Sequence, residues 1–347
     1  MDNWKKLVAE SITRPDELAN LFDVDVDKLK RVVETYPMRI NQYYMDLIQN
    51  QGDGVWQQSV PNLEEISNTR GIDDPLHEES DKSGIPGLTH RYPDRVLLLV
   101  SNTCAMYCRF CTRKRKVGMK YDSITPENFE KAVSYIKEHE EIRDVVLSGG
   151  DPLMLSDNKL ESYIREVRDI DHVEIIRIGT RVPCVLPQRV TPELCDMLKK
   201  YHPIYVNTHF NNPYEITEES RKACGMLADA GIPLGNQSVL LKGVNDDPAV
   251  MKELVQKLLS MRVKPYYVYI PDNVRGTKHL ATSINQGLDM IRGIRGWTSG
   301  MAVPHVIIDI EGGGGKIPIL PEYLEKVEGD RYHFRNYEGK KFVYEDN

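Results

Sequence analysis

From residue 95 onward, short apolar runs at 96–100, 145–147, 173–178, 204–207, 234–240, 266–269 and 303–308 alternate with stretches of helical periodicity. Runs that are continuously apolar, each followed by a helix, specify a parallel sheet covered by helices. Three of the intervening helices start with a capping residue and then proline, at Thr125-Pro126, Thr191-Pro192 and Asp247-Pro248. The number and spacing of the runs predict an α/β fold, an incomplete (β/α) barrel, over a doubly wound sheet. Ahead of it, apolar residues at three- and four-residue intervals predict helices over 3–11, 15–21, 26–35 and 41–48, followed by a polar connector rich in Gly and Pro from about 51 to 87. The expected division is a helical N-terminal region with connector at 1–70, the barrel at 71–310 and a short C-terminal segment at 311–347.

Ligands of such folds gather at the C-terminal ends of the strands. Cys104, Cys108 and Cys111 follow the first run directly. Three thiols at this spacing can ligate three irons of a [4Fe-4S] cube and leave the fourth iron open to a reactive ligand, whereas purely electron-transferring clusters take four protein thiols. The alternative is a structural zinc site completed by His90 or another histidine, although zinc sites usually pair their ligands in two clusters. Cys184, Cys195 and Cys224 are scattered singly and read as small buried apolar groups. Ser148, Gly149, Gly150 and Asp151 end the second run, where paired glycines allow close approach of backbone to a ligand and Asp151 can accept from an amine or hydroxyl. A plain turn is the alternative. Asn207-Thr208-His209 and Asn236-Gln237-Ser238 place polar groups at two further strand ends.

Four glycines, Gly312 to Gly315, run straight into Lys316 after the last apolar run. A flexible linker is the simplest account, but linkers are seldom flanked by apolar runs on both sides. A phosphate-binding P-loop is excluded, because Ile317-Pro318 cannot supply the Ser or Thr and the helix that such a loop requires. A lysine carried by a loop free of side chains into a barrel mouth suits a Schiff-base nucleophile for pyridoxal 5′-phosphate. Arg91 and Arg95 offer guanidiniums for its phosphate, and Tyr92 can pack on its ring.

The chain has 347 residues, 40% of them hydrophobic, enough to bury a core of barrel size. Its formal net charge of −7 argues against a global nucleic-acid binder. The basic run Arg113-Lys114-Arg115-Lys116 keeps a radical-dependent RNA-modifying enzyme open as an alternative. The N-terminus lacks an apolar signal region, and the longest apolar run is far too short to cross a bilayer, so no membrane association and a cytoplasmic location are expected. A reducing compartment also suits free thiolates.

The three cysteines with an aromatic before the third resemble the radical S-adenosyl-L-methionine enzymes. Taken with Gly87 to Arg95, Leu147 to Asp151, Leu186 to Arg189, Asn207 to Asn211, Gly235 to Leu241 and the glycine-lysine loop, the chain from about Pro75 onward resembles the lysine 2,3-aminomutase family. The resemblance implies an isomerase using a [4Fe-4S] cluster on Cys104, Cys108 and Cys111, S-adenosyl-L-methionine, and pyridoxal 5′-phosphate bound as an internal aldimine on Lys316. Arg91, Tyr92 and Arg95 would hold that cofactor. Ser148, Gly149, Gly150, Asp151, His209 and Gln237 would line the site of S-adenosyl-L-methionine.

For the substrate, the resemblance implies that Arg113 grips the α-carboxylate and that Asp272 and Asp309 hold a distal ammonium. The reaction implied is radical migration of the amino group of an L-α-amino acid from the α- to the β-carbon, with L-lysine converted to L-β-lysine; ornithine, arginine and glutamate are the alternatives. An electron donor such as flavodoxin or ferredoxin and a homo-oligomer are implied as well. Phe110, Asn212, Ile270-Pro271 and Ile310-Glu311 depart from the family pattern, close to the substrate's tail, and Glu311 could add a third carboxylate there. Longer members carry zinc ligands in a C-terminal extension; this chain stops at Asn347 and has Asp247 in place of an internal zinc cysteine, so no zinc is expected.

Overall fold

The computed structural model describes residues 3–68, 70–78, 83–118 and 124–346; positions 69 and 79–82 of the expected connector lie outside them. Among the described residues, nine strands form one sheet in chain order: β1 (Leu88–Tyr92), β2 (Arg95–Ser101), β3 (Asp144–Gly149), β4 (Ile175–Gly179), β5 (Ile204–Thr208), β6 (Leu234–Val239), β7 (Val263–Tyr269), β8 (His305–Ile310) and β9 (Gly315–Ile319). Each pair from β2 to β8 is parallel, and the two outermost pairs, β1 with β2 and β8 with β9, are antiparallel. Helices Pro126–Glu138, Asp157–Arg168, Pro192–Lys199, Glu218–Asp229, Pro248–Ser260 and Ile284–Ile294 make the crossovers. As the sequence predicts, Thr125, Thr191 and Asp247 cap three of them, each accepting from a backbone N–H of the first turn.

Successive strand residues point to opposite faces, and here the two faces have different fates. In β3, Val145 and Leu147 are fully buried beneath the helices, while Val146 and Ser148 line a central cavity. The barrel interior is therefore a binding space rather than a packed core. The sheet curls until its ends meet through side chains: Lys316 N on β9 donates to Tyr92 Oη on β1 at 3.0 Å, and Arg91 Nη1 lies 3.8 Å from Asp309 Oδ1.

Residues 91–95 are the tip of the β1–β2 hairpin, so the cysteines follow β2 and not the first strand of the sheet. The N-terminal helices Asn3–Ala9, Pro15–Ala19, Val26–Thr35 and Gln42–Met45 fall where periodicity places them, the last much shortened. Two more, Gly54–Ser59 and Glu64–Ser67, occupy the stretch expected as connector; Asp53 caps the first by accepting from Val55 N and Trp56 N. A separate antiparallel sheet of β10 (Leu324–Glu328), β11 (Arg331–Arg335) and β12 (Lys341–Glu345) follows. No helix among the described residues is long and apolar enough to cross a membrane.

Candidate active site

The barrel encloses a cavity of about 720 Å³, lined by all the residues that the resemblance assigns to cluster, cofactors, α-carboxylate and distal ammonium. Cys104, Cys108 and Cys111 sit in its wall. Burial pushes the Cys104 thiol well up and that of Cys111 to about 11. Cys104 and Cys111 are therefore held as thiols in the free chain, whereas a bound cationic cluster would deprotonate its sulfur ligands outright, so the donor set fits iron-sulfur ligation. Among the described residues no three His, Cys, Asp or Glu converge to hold a single metal ion. His90, the candidate fourth ligand of a zinc site, is instead buried on β1 with Nδ1 2.9 Å from Tyr135 Oη. Cys184, Cys195 and Cys224 are buried.

The cysteine loop is held from two sides. On one, the N-terminal region contributes backbone: Tyr107 N donates to Arg39 O at 3.0 Å and Arg109 N to Gln58 O at 2.9 Å. Glu65 completes that side, receiving Arg109 Nε at 2.9 Å and Lys114 Nζ at 2.8 Å in an ionic cluster buried from water. Burial and the neighbouring Arg109 push Lys114 down to about 8. On the other side lies the glycine turn after β3. Gly150 N donates to Ser101 O at 2.5 Å and Asp151 N to Thr103 O at 2.8 Å. Gly149 has φ +127°, and a Cβ there would lie 2.1 Å from Ser101 O. The chain's own backbone thus requires glycine at these positions, which also line the cavity.

Asp151 likewise spends its carboxylate on protein. It accepts from Thr180 Oγ1 at 2.6 Å, Arg181 N at 2.7 Å, Leu153 N at 3.0 Å and Val182 N at 3.2 Å, while burial raises its pKa to about 6. His209 and Gln237 line the same cavity. Burial lowers the His209 pKa to about 3, so its imidazole is neutral, with Nε2 3.1 Å from Asn211 Oδ1 and its ring 5.3 Å from that of Phe110. Of the polar strand ends, Asn236 and Ser238 turn inward to bind the backbone of Phe210, leaving Asn207 and Gln237 to the cavity.

Lys316 lies on β9 opposite Asp309 of β8, and its Nζ donates to Asp309 Oδ2 at 2.6 Å. The other oxygen of that carboxylate is buried without a hydrogen-bond donor. Asp272 accepts from Thr112 Oγ1 at 3.2 Å; burial first, then the charge of Asp309, raise its pKa to about 6. The Arg95 guanidinium stacks on Tyr92, 3.8 Å from the ring centroid. Gly315, with φ +79°, turns the chain beneath Tyr92 Oη and delivers Lys316. Two guanidiniums and one amine around one space fit a phosphorylated aldehyde cofactor.

Arg113 is a fork on Glu78, with Nε at 2.8 Å from Oε2 and Nη2 at 2.6 Å from Oε1, and Nη1 at 3.3 Å from Gly149 O. Glu78 stands in the stretch that carries the family resemblance, yet nothing in its own surroundings marks it as a partner. The basic run is no surface patch: Lys114 meets Glu65, and Arg115 Nη2 lies 3.2 Å from Asp74 Oδ1. Of the departures, Phe110, Ile270 and Pro271 line the cavity. Asn212 does not; it caps the turn Pro213–Glu215 and binds Val244 O at 2.8 Å. Glu311 is exposed and adds no third carboxylate to the cavity wall.

A partial barrel with three cysteines after its first parallel strand defines a radical S-adenosylmethionine enzyme, and the family model of the Radical SAM superfamily matches residues 98–255. The model for lysine-2,3-aminomutase matches residues 291–347. The chain is 51% identical over 333 residues to L-lysine 2,3-aminomutase of Fusobacterium nucleatum, covering 95% of this chain and 78% of that protein. It is 49% identical over 351 residues to the Clostridium subterminale L-lysine 2,3-aminomutase (99% and 84%) and 43% identical over 351 residues to glutamate 2,3-aminomutase of Clostridioides difficile (99% and 83%). The chain belongs to the lysine 2,3-aminomutase family. It is an isomerase whose cofactors are a [4Fe-4S] cluster, S-adenosyl-L-methionine and pyridoxal 5′-phosphate.

Proposed function

We propose that the protein converts L-lysine to L-β-lysine. The observation that carries this reading is the pair Asp272 and Asp309: two carboxylates in one cavity, one raised to about 6 and the other with a buried oxygen that has no hydrogen bond and only Arg91 Nη1 at 3.8 Å. Such a pair calls for a cation. Lys316 neutralises Asp309 while its amine is free; once that amine is committed to cofactor, a substrate ammonium replaces it. A glutamate side chain would bring a third negative charge against the two.

Cys104, Cys108 and Cys111 hold the cluster, and Arg91 and Arg95 hold the cofactor phosphate, with Tyr92 fixing the backbone of Lys316. Ser148, Gly149, Gly150 and Asp151, with His209 and Gln237, would line the site of S-adenosyl-L-methionine. Arg113 receives the substrate carboxylate, oriented by Glu78. When bound, the cluster and S-adenosyl-L-methionine supply a carbon radical that removes and returns a hydrogen atom, and pyridoxal 5′-phosphate supplies the conjugated system across which nitrogen migrates. The chain itself places the two carbons, excludes water and keeps the distal charge fixed. The same proposal divides the chain at 1–70, 71–310 and 311–347, with β9 of the third part pairing onto the barrel sheet ahead of the appended strands.

A flavodoxin or ferredoxin as one-electron donor suits a cluster that must be reduced from outside, and a reducing cytoplasm suits its thiolates. Exposed Leu324, Val327, Phe342, Val343 and Tyr344 on the appended sheet support a homo-oligomer, which sedimentation of the purified chain tests. The deciding experiment is anaerobic incubation of reconstituted enzyme with lysine, ornithine, arginine or glutamate, followed by mass-resolved detection of β-isomers. Lysine should be turned over fastest; a preference for glutamate would reject the reading.

A further inference from the structure

We propose that Arg181 tunes the reduction potential of the [4Fe-4S] centre by donating a charge-assisted hydrogen bond to the sulfur of Cys108. The proposal rests on Cys108 as a cluster ligand, part of the reading above, and not on which amino acid is rearranged.

Arg181 follows β4 and is buried. Its Nη1 lies 2.8 Å from Cys108 Sγ. The other two guanidinium nitrogens are engaged: Nη2 reaches Glu215 Oε1 at 2.7 Å and Gln58 Oε1 at 2.6 Å, and Nε reaches His209 O at 3.3 Å. The guanidinium lies 5.0 Å from the Phe110 ring centroid, and the Arg181 backbone N–H is fixed by Asp151. Glu215 is fixed in turn, by Tyr44 Oη at 2.6 Å and by the backbone N–H groups of Asn211 and Asn212 at 2.6 and 2.8 Å.

A guanidinium this deep needs a counter-charge, and Glu215 supplies it. That pairing does not explain the group aimed at sulfur. One cation at the end of a lysine could neutralise Glu215 equally; only the planar fork spans the carboxylate and Cys108 at once. One-electron reduction adds negative charge to the cluster and its sulfurs, the electron coming from the external donor. An N–H directed at a ligand sulfur therefore binds the reduced form more strongly and raises the potential. Because Gln58 and Tyr44 come from the N-terminal helices and Glu215 from the loop after β5, the donor is locked by three separate parts of the chain.

The test uses the full chain reconstituted anaerobically with iron and sulfide, without substrate or pyridoxal phosphate, and reads the midpoint potential by titration monitored by electron paramagnetic resonance. Arg181→Lys keeps a cation opposite Glu215 but loses the sulfur contact. A second protein, Arg181→Met with Glu215→Gln, removes both charges and so avoids a stranded carboxylate. Each should retain about four irons per chain. Each should show an equilibrium constant for reduction roughly tenfold lower, a fall of about 59 mV for a one-electron couple. A wild-type potential in either variant that retains its iron overturns the proposal. So does loss of iron from both with unchanged circular dichroism, which would make Arg181 a scaffold for the loop. Wild type that binds no cluster would sink the ligand assignment and this proposal together, whereas wild type that binds a cluster but leaves lysine unchanged would sink the functional reading alone.

Discussion

Asp309 and Lys316 are register partners across the β8–β9 ladder, and the lysine amine meets the aspartate carboxylate at 2.6 Å. The side chain proposed to bind the cofactor is thereby held by a residue proposed to bind substrate. Lys316→Ala should keep the iron content of the wild type and lose both turnover and the pyridoxyl label that borohydride fixes, read by peptide mapping. A label found on another lysine would contradict the assignment.

Asp272 gives the site a pH dependence. Its pKa is raised from 3.8 to about 6, so the ionised carboxylate that a substrate ammonium needs is lost as pH falls through 6. The kcat/KM for lysine should show an acid limb near that value, and Asp272→Asn should lower kcat/KM roughly a hundredfold or more and remove the limb. The sign for folding is opposite. Because the folded-state pKa is the higher one, the charged group costs stability that grows from about pH 4 and is complete above about pH 6, so the Asn variant should melt higher at pH 7.

Arg113 reaches Glu78 through a two-pronged contact, and both side chains are largely buried. Removing one partner strands the other, at a cost on the order of 3–5 kcal/mol for a buried pair. Glu78→Gln should leave Arg113 charged but free to rotate. The expected result is a KM for lysine raised about tenfold with the iron content unchanged, and a smaller effect on binding of a diamine that lacks the carboxylate. Equal losses for both ligands, measured by calorimetry, would remove the carboxylate role.

The two glycines at neighbouring strand ends provide a matched comparison. A Cβ on Gly149 would lie 2.1 Å from Ser101 O, whereas one on Gly179 would find its first neighbour at 3.8 Å. Gly149→Ala should therefore displace the start of the cysteine loop and reduce reconstituted iron severalfold, with Gly179→Ala close to wild type. Normal iron in Gly149→Ala would show that the loop yields without losing its ligand geometry.

Much of this site could be read along the chain because its reactive groups sit at strand ends, which apolar runs and Pro-started helices mark locally. Cys104 to Cys111 and the glycine-lysine loop are of that kind. The β1 strand escaped because Leu88, Thr89, His90, Arg91 and Tyr92 mix apolar, polar and charged groups without alternation, and the helices Gly54–Ser59 and Glu64–Ser67 are too short to show a period. Glu65, Glu78, Arg181 and Glu215 escaped for a different reason. Each is an ordinary charged residue locally, and its meaning lies in a partner dozens of residues away, such as Gln58 for Arg181. What the composition of Ser148 to Asp151 does not reveal is that the same turn also holds the cysteine loop, since a turn that binds backbone and a turn that lines a cofactor site look alike in sequence.

The backbone bonds from Arg39 and Gln58 to the cysteine loop carry a lesson for protein engineering. The stretch recognisable as the radical enzyme, residues 98–255, is not a transplantable part: it contains the thiols but neither Glu65 nor Gln58, whose side chains finish the loop's electrostatics. A chimera joined at that boundary would inherit the ligands without the clamp. Crossover points for recombining members of this family belong upstream of residue 39, so that the helices and the loop they grip travel together.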